Sequence, residues 1–104
     1  MKGEFVYIWS FQVKRGSEAA FERAYGPAGD WVQLFRKAPG YLKTELLSDT
    51  EQPGRYVTID HWESERAQHS FRERFAAEFE AIDKSCEALT ESETLIGHFE
   101  VFRK

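Results

Sequence analysis

The sequence has a single cysteine, Cys86, in 104 residues, which excludes an internal disulfide and suits a reducing cytoplasm. It has no apolar run near the roughly 20 residues that cross a bilayer, so no membrane span is expected. MKGEFVYIWSFQV at the N-terminus mixes charge with bulky side chains and lacks a small-residue cleavage site, unlike a secretion signal. The formal charge is −4, with both signs interspersed and no basic cluster, so nothing suggests nucleic-acid binding. Three scattered histidines and one cysteine give no zinc pattern, and no metal is expected. Gly26-Pro27-Ala28-Gly29 has neither the preceding strand nor the Lys-Ser/Thr of a nucleotide loop, and no nucleophile elbow occurs.

Aromatic side chains, by contrast, are abundant: nine Phe, four Tyr and three Trp, more than a small domain covers easily. The length is that of one domain, residues 1–104. EFVYIWSFQV reads as a strand from about Glu4 to Val13. Ser17 is a candidate cap for a helix carrying Ala20, Phe21, Ala24 and Tyr25. The Gly-Pro-Ala-Gly stretch breaks that helix, and Asp30 is placed to cap its continuation through Trp31, Leu34 and Phe35. Pro39-Gly40 is a stop. YLKTELLS and the segment Tyr56–Trp62 then form two strands joined by a polar Pro-Gly loop. Ala67, Phe71, Phe75, Phe79, Ile82, Cys86 and Leu89 follow at spacings of 4, 4, 4, 3, 4 and 3, one stripe of a long helix capped by Ser64. TLIGHFEVF supplies a fourth strand. The expected fold is α+β, a ferredoxin-like βαββαβ chain with a four-stranded antiparallel sheet and its helices on one face.

A sheet covered on one side only alternates apolar and polar residues. The first strand does not: Phe5, Tyr7, Trp9, Phe11 and Val13 share one face, Val6 and Ile8 the other. Val57 and Ile59 oppose Tyr56 and Trp62 on the third strand, and Leu42 and Leu46 oppose Tyr41 and Leu47 on the second. Two apolar faces predict a second cover, and the simplest is another copy of the same sheet packed about a two-fold axis. A homodimer is expected.

The order of elements, PGY opening the second strand, RYVTIDHWES closing the third and the Phe-rich helix after it resemble the antibiotic biosynthesis monooxygenase family over nearly the whole chain. The resemblance implies a dimeric α+β barrel, with a pocket in each subunit between its own sheet and helices. Members include cofactor-independent oxygenases of polycyclic phenols and quinols, and haem-degrading enzymes. The haem branch resembles itself in an asparagine on the first strand, a tryptophan in the helix after the third, and a histidine further along. Here those places hold Trp9, Phe71 and Ala81, which argues against haem. The resemblance therefore implies a monooxygenase without cofactor, acting on a small aromatic, phenolic or quinol-like substrate. The alternative is a non-catalytic ligand-binding or assembly dimer of the same fold.

An aromatic pocket drawn from Tyr7, Trp9, Phe11, Trp62 and Phe71 would bind such a substrate. His61 and Trp62 are neighbours on a strand and point to opposite faces, so they do not form one pocket wall. His61 is a candidate acid or base because its ordinary pKa suits proton transfer near neutrality. Glu78 falls inside the apolar stripe on a straight helical wheel and is the second candidate. His98 is expected to share a face with Ile96 and Phe102, and Cys86 to be a buried thiol. His69, Glu65 and Glu73 form an exposed row read as ion pairing rather than a metal site.

Overall fold

The computed structural model describes residues 3–102; Met1 and Lys2, which open the N-terminal segment considered above, lie outside them. The elements are β1 (Phe5–Val13), α1 (Glu18–Tyr25), α2 (Asp30–Phe35), β2 (Tyr41–Ser48), β3 (Arg55–Trp62), α3 (Glu65–Arg74), α4 (Ala76–Cys86) and β4 (Thr90–Glu100), with a single 3-10 turn at Glu87–Leu89. All strand pairings are antiparallel, in the order β2-β3-β1-β4. This is the ferredoxin-like α+β arrangement.

The core fills the space between the helices and one face of the sheet. Phe11 of β1 meets Phe21 and Tyr25 of α1 at ring separations of 5.1 and 5.0 Å, and those two rings stack 4.2 Å apart; Phe5 and Val13 of the same strand belong to the same buried core. Trp62, at the end of β3, is 1% exposed and is held by Phe35, Tyr41 and Phe71 at ring separations of 5.2–5.7 Å. Burial of that many ring surfaces supplies most of the driving force a domain of this size can gather.

Several local expectations need correction. The stripe after β3 lies on two helices, not one, with Phe75 outside helical geometry at φ −112°, ψ 29°. A strict four-residue repeat turns about 40° per step on a helix of 3.6 residues per turn, and a break lets the stripe keep facing the sheet. Ser64 caps α3 by accepting from the Ala67 N–H at 3.1 Å. Ser17 makes no such bond; the Glu18 carboxylate accepts from the Gly16 N–H instead. Gly29, not Asp30, is the cap of α2.

Two bulges also overturn the strand faces read from strict alternation. The irregularity between Tyr41 and Lys43 puts Tyr41 and Leu46 together against the core, whereas Leu42 and Leu47 are exposed. The one opposite Ile8 and Trp9 shifts β4 so that His98 pairs with Tyr7 and stacks on its ring at 5.2 Å. Each extra residue reverses the side on which later side chains emerge.

Candidate functional site

The core-facing side of the sheet is organised in cross-strand rows, because paired residues project from the same face. The row Thr44–Asp60–Tyr7–His98 crosses all four strands. Beside it run Trp62 with Phe5, and Thr58 with Trp9. The helices do not fill the space above these rows. They leave a cavity of about 230 Å³, below the 300–1,000 Å³ common for drug-sized ligands.

Its walls are mainly rings. Tyr7, Trp9 and Phe11 of β1, Trp62 of β3 and Phe71 of α3, the five residues expected to form a pocket, all line it. Tyr25, Trp31, Phe35 and Phe79 complete the apolar wall from the helices. All three tryptophans of the chain therefore border one space. The Trp31 ring lies 6.0 Å from that of Tyr25, and its buried Nε1–H makes no hydrogen bond of ordinary geometry.

Polar groups occupy a few positions. Asp60 is buried, and one of its carboxylate oxygens accepts from the Thr44 hydroxyl at 2.7 Å. The Thr44 oxygen is in turn 2.7 Å from the Tyr41 hydroxyl. Burial drives the Asp60 carboxyl up from 3.8 to about 6, and the Thr44 hydrogen bond and the nearby His61 pull against that rise. The Tyr7 hydroxyl donates to Gln68 Oε1 at 3.0 Å, and its pKa is raised, mainly by burial. Tyr25 is raised as well, first by burial and then by Cys86. Arg72, whose guanidinium lies 4.0 Å over the Phe79 ring, joins Asp83 and Glu93 on the more polar part of the lining. Burial raises Glu93, with Asp83 and Glu87 adding to the effect.

The two expected proton handlers lie elsewhere. His61 pairs with Val6 on the sheet face away from the helices, where its Nε2 is 2.7 Å from Glu45 and its Nδ1 3.3 Å from Glu4. Glu78 is exposed on α4, because the break at Phe75 resets the straight wheel that places it in the stripe. Neither lines the cavity. Asp60 was legible in principle: it shares strand parity with Tyr56, Thr58 and Trp62, a carboxylate on the buried side of an otherwise core-facing strand. Among the described residues, no group of His, Cys, Asp and Glu is arranged to hold a metal, and no helix is long and apolar enough to cross a membrane.

The family model for antibiotic biosynthesis monooxygenases matches residues 5–85, which spans every element from β1 through most of α4. The chain belongs to the antibiotic biosynthesis monooxygenase family. Curated proteins offer no match to the sequence. Solved structures do. A Bordetella bronchiseptica protein provisionally described as an antibiotic biosynthesis monooxygenase is 24% identical, with a TM-score of 0.76 over 98% of this chain and 100% of that one. SnoaB from Streptomyces nogalater, a cofactor-independent oxygenase, is 20% identical, with a TM-score of 0.72 over 98% and 96%. A Deinococcus radiodurans protein with the same provisional description as the first is 18% identical, with a TM-score of 0.75 over 96% and 94%. At these identities the likeness establishes a shared fold, and a shared fold does not fix the chemistry.

Proposed function

We propose that the protein is a cofactor-independent monooxygenase of a small planar phenol, quinol or anthrone, which it binds in the cavity between sheet and helices. The observation that carries this reading is a ring-walled cavity with a buried, ionisable carboxylate on its sheet side. Family membership and the fold shared with SnoaB support it.

Such substrates contain most of the needed reactivity. Loss of a proton makes an electron-rich anion that gives one electron to dioxygen. Superoxide and the substrate radical then recombine as a carbon-bound peroxide. For a methylene between two aromatic rings, protonation and loss of water leave a ketone, so CH2 and O2 become C=O and H2O without an external reductant. The protein then has to orient the rings, keep water out and manage protons. Tyr7, Trp9, Phe11, Trp62 and Phe71 provide stacking and edge contacts for a flat molecule. Protons are not routed through His61 or Glu78, which lie behind the sheet and on the exposed side of α4.

The proposed working unit is a homodimer. The sheet face away from the helices carries Ile8, Val57 and Ile59 at its centre, with Leu47 and Phe99 exposed by 47% and 46% beside them. A second copy of the same face is the occupant that covers it symmetrically.

An oxygen electrode with a panel of anthrones and naphthoquinols tests the chemistry. Saturable, protein-dependent uptake with ketone formation is expected, together with a change in tryptophan fluorescence, since every tryptophan borders the cavity. Binding without uptake would favour the ligand-binding dimer. No fluorescence change and no uptake across the panel would remove the cavity reading altogether.

A further inference from the structure

We propose that Asp60 is the catalytic base of this cavity, its second carboxylate oxygen taking the proton from the acidic O–H or C–H of a bound phenol, quinol or anthrone. This rests on the oxygenase reading above. Thr44 and Tyr41 act behind Asp60 as positioning residues.

The geometry supplies the argument. An ionised carboxylate only accepts hydrogen bonds, so Thr44 Oγ1 donates its single proton to Asp60 at 2.7 Å. That leaves the Tyr41 hydroxyl as donor to Thr44, also at 2.7 Å. The chain Tyr41→Thr44→Asp60 fixes one carboxylate oxygen and its plane. The other makes no hydrogen bond within the protein among the described residues, and Asp60 lines the cavity. A structural acceptor for Thr44 would need only a carbonyl oxygen, so the fold has no use for the charge. A buried anion without a cation against it is costly, and such groups concentrate where chemistry requires them.

Other titratable groups face the same space: Tyr7 from β1, Arg72 from α3, Asp83 from α4, Glu93 from β4 and Tyr25 from α1. His98 continues the row on β4 beyond Tyr7 but is exposed and does not line the cavity. Burial raises both tyrosines and holds them protonated at neutral pH. His61 acts on Asp60 through the sheet, from the far face. With a carboxyl at about 6, Asp60 is mostly ionised at neutral pH, and its conjugate acid can still return the proton to the peroxide. In the first transfer the proton goes to Asp60 and the electron pair stays on the substrate, which enters the reaction with dioxygen as its anion.

The probe for the test is 1,8-dihydroxyanthrone. Wild type, Asp60→Asn and Thr44→Val are compared by oxygen uptake against pH, by anaerobic C–H exchange in D2O followed by NMR, and by Kd from tryptophan quenching. A base contributes about 10²–10⁴ to rate, so Asp60→Asn is expected to lose at least about 100-fold in turnover and in exchange, with Kd within about threefold. Thr44→Val removes a bond that holds the Asp60 carboxyl down and fixes its plane, so the acidic limb of its profile moves to higher pH and the alkaline plateau falls several-fold as well. Glu93 cannot produce that movement, since Thr44 does not contact it. Asp60→Asn exchanging within about twofold of wild type, or a limb unmoved in Thr44→Val, overturns the assignment and leaves the oxygenase reading standing. A wild type inert to every probe overturns both.

Discussion

At Asp60, activity and stability pull in opposite directions. Its carboxyl is raised from 3.8 to about 6, so the folded chain holds the proton more tightly than the unfolded one. The stability it contributes is complete below the unfolded value and is lost as pH rises through about 6. A tenfold difference in proton affinity is worth about 1.4 kcal/mol, so above the folded pKa the ionised Asp60 costs the fold on the order of 3 kcal/mol. Asp60→Asn retains an acceptor for Thr44 without the charge. Urea denaturation of this variant is expected to give a gain of about 1–3 kcal/mol at pH 8, shrinking towards zero near pH 4. Equal or lower stability at pH 8 would mean that Asp60 is not held as a buried anion.

At the scale of elements, the junctions carry the site. Gly40, between α2 and β2, has φ +91°, and its carbonyl accepts the Glu63 N–H at 2.7 Å where β3 turns into α3. A Cβ at Gly40 would stand 2.6 Å from the Ala67 Cβ on α3. This close approach seats α3, and with it Phe71 and Gln68, over the sheet. Gly40→Ala combines left-handed strain with a clash and should cost about 1–3 kcal/mol. Adding Ala67→Gly relieves the clash but not the strain, so the double variant should recover only part of the loss beyond the helix cost of the new glycine. Independent, additive effects in a thermal-melt cycle would contradict the contact. The same scale explains where strict periodicity misled. Alternation placed β1 and β3 correctly, so Tyr7, Trp9, Phe11 and Trp62 fell on the cavity side. It failed at the bulges in β2 and β4 and at the break in α3–α4, where an unpaired residue reverses a face or resets a wheel. His98 and Glu78 were both misplaced for this reason.

For the whole molecule, the decisive feature is the sheet face that the helices leave uncovered. It combines Ile8, Val57 and Ile59 with the polar bridge of His61 to Glu4 and Glu45 at its rim. Ultracentrifugation at micromolar concentration should return about twice the 12.1 kDa of one chain. Ile59→Lys puts a charge at the centre of that face and is expected to give a folded monomer, read as one-chain mass with unchanged circular dichroism. A wild-type species of one chain mass would show instead that the face stays open to solvent.

The order of the strands and helical segments and the ferredoxin-like topology were readable from the residues alone, because these follow from local periodicity, turn residues and their spacing along the chain; the family was readable as a resemblance carried by PGY, RYVTIDHWES and the Phe-rich stripe. The residues alone also determined that both sheet faces are apolar and that the core is built from rings. Which polar group reaches the cavity depends on how all four strands and the helices pack together. Cross-strand register and bulges bring Thr44, Asp60, Tyr7 and His98 into one row although they are spread from β1 to β4, and that row is invisible to any reading of neighbours in sequence. Burial then changes what Asp60 can do, and burial depends on every element that packs above it.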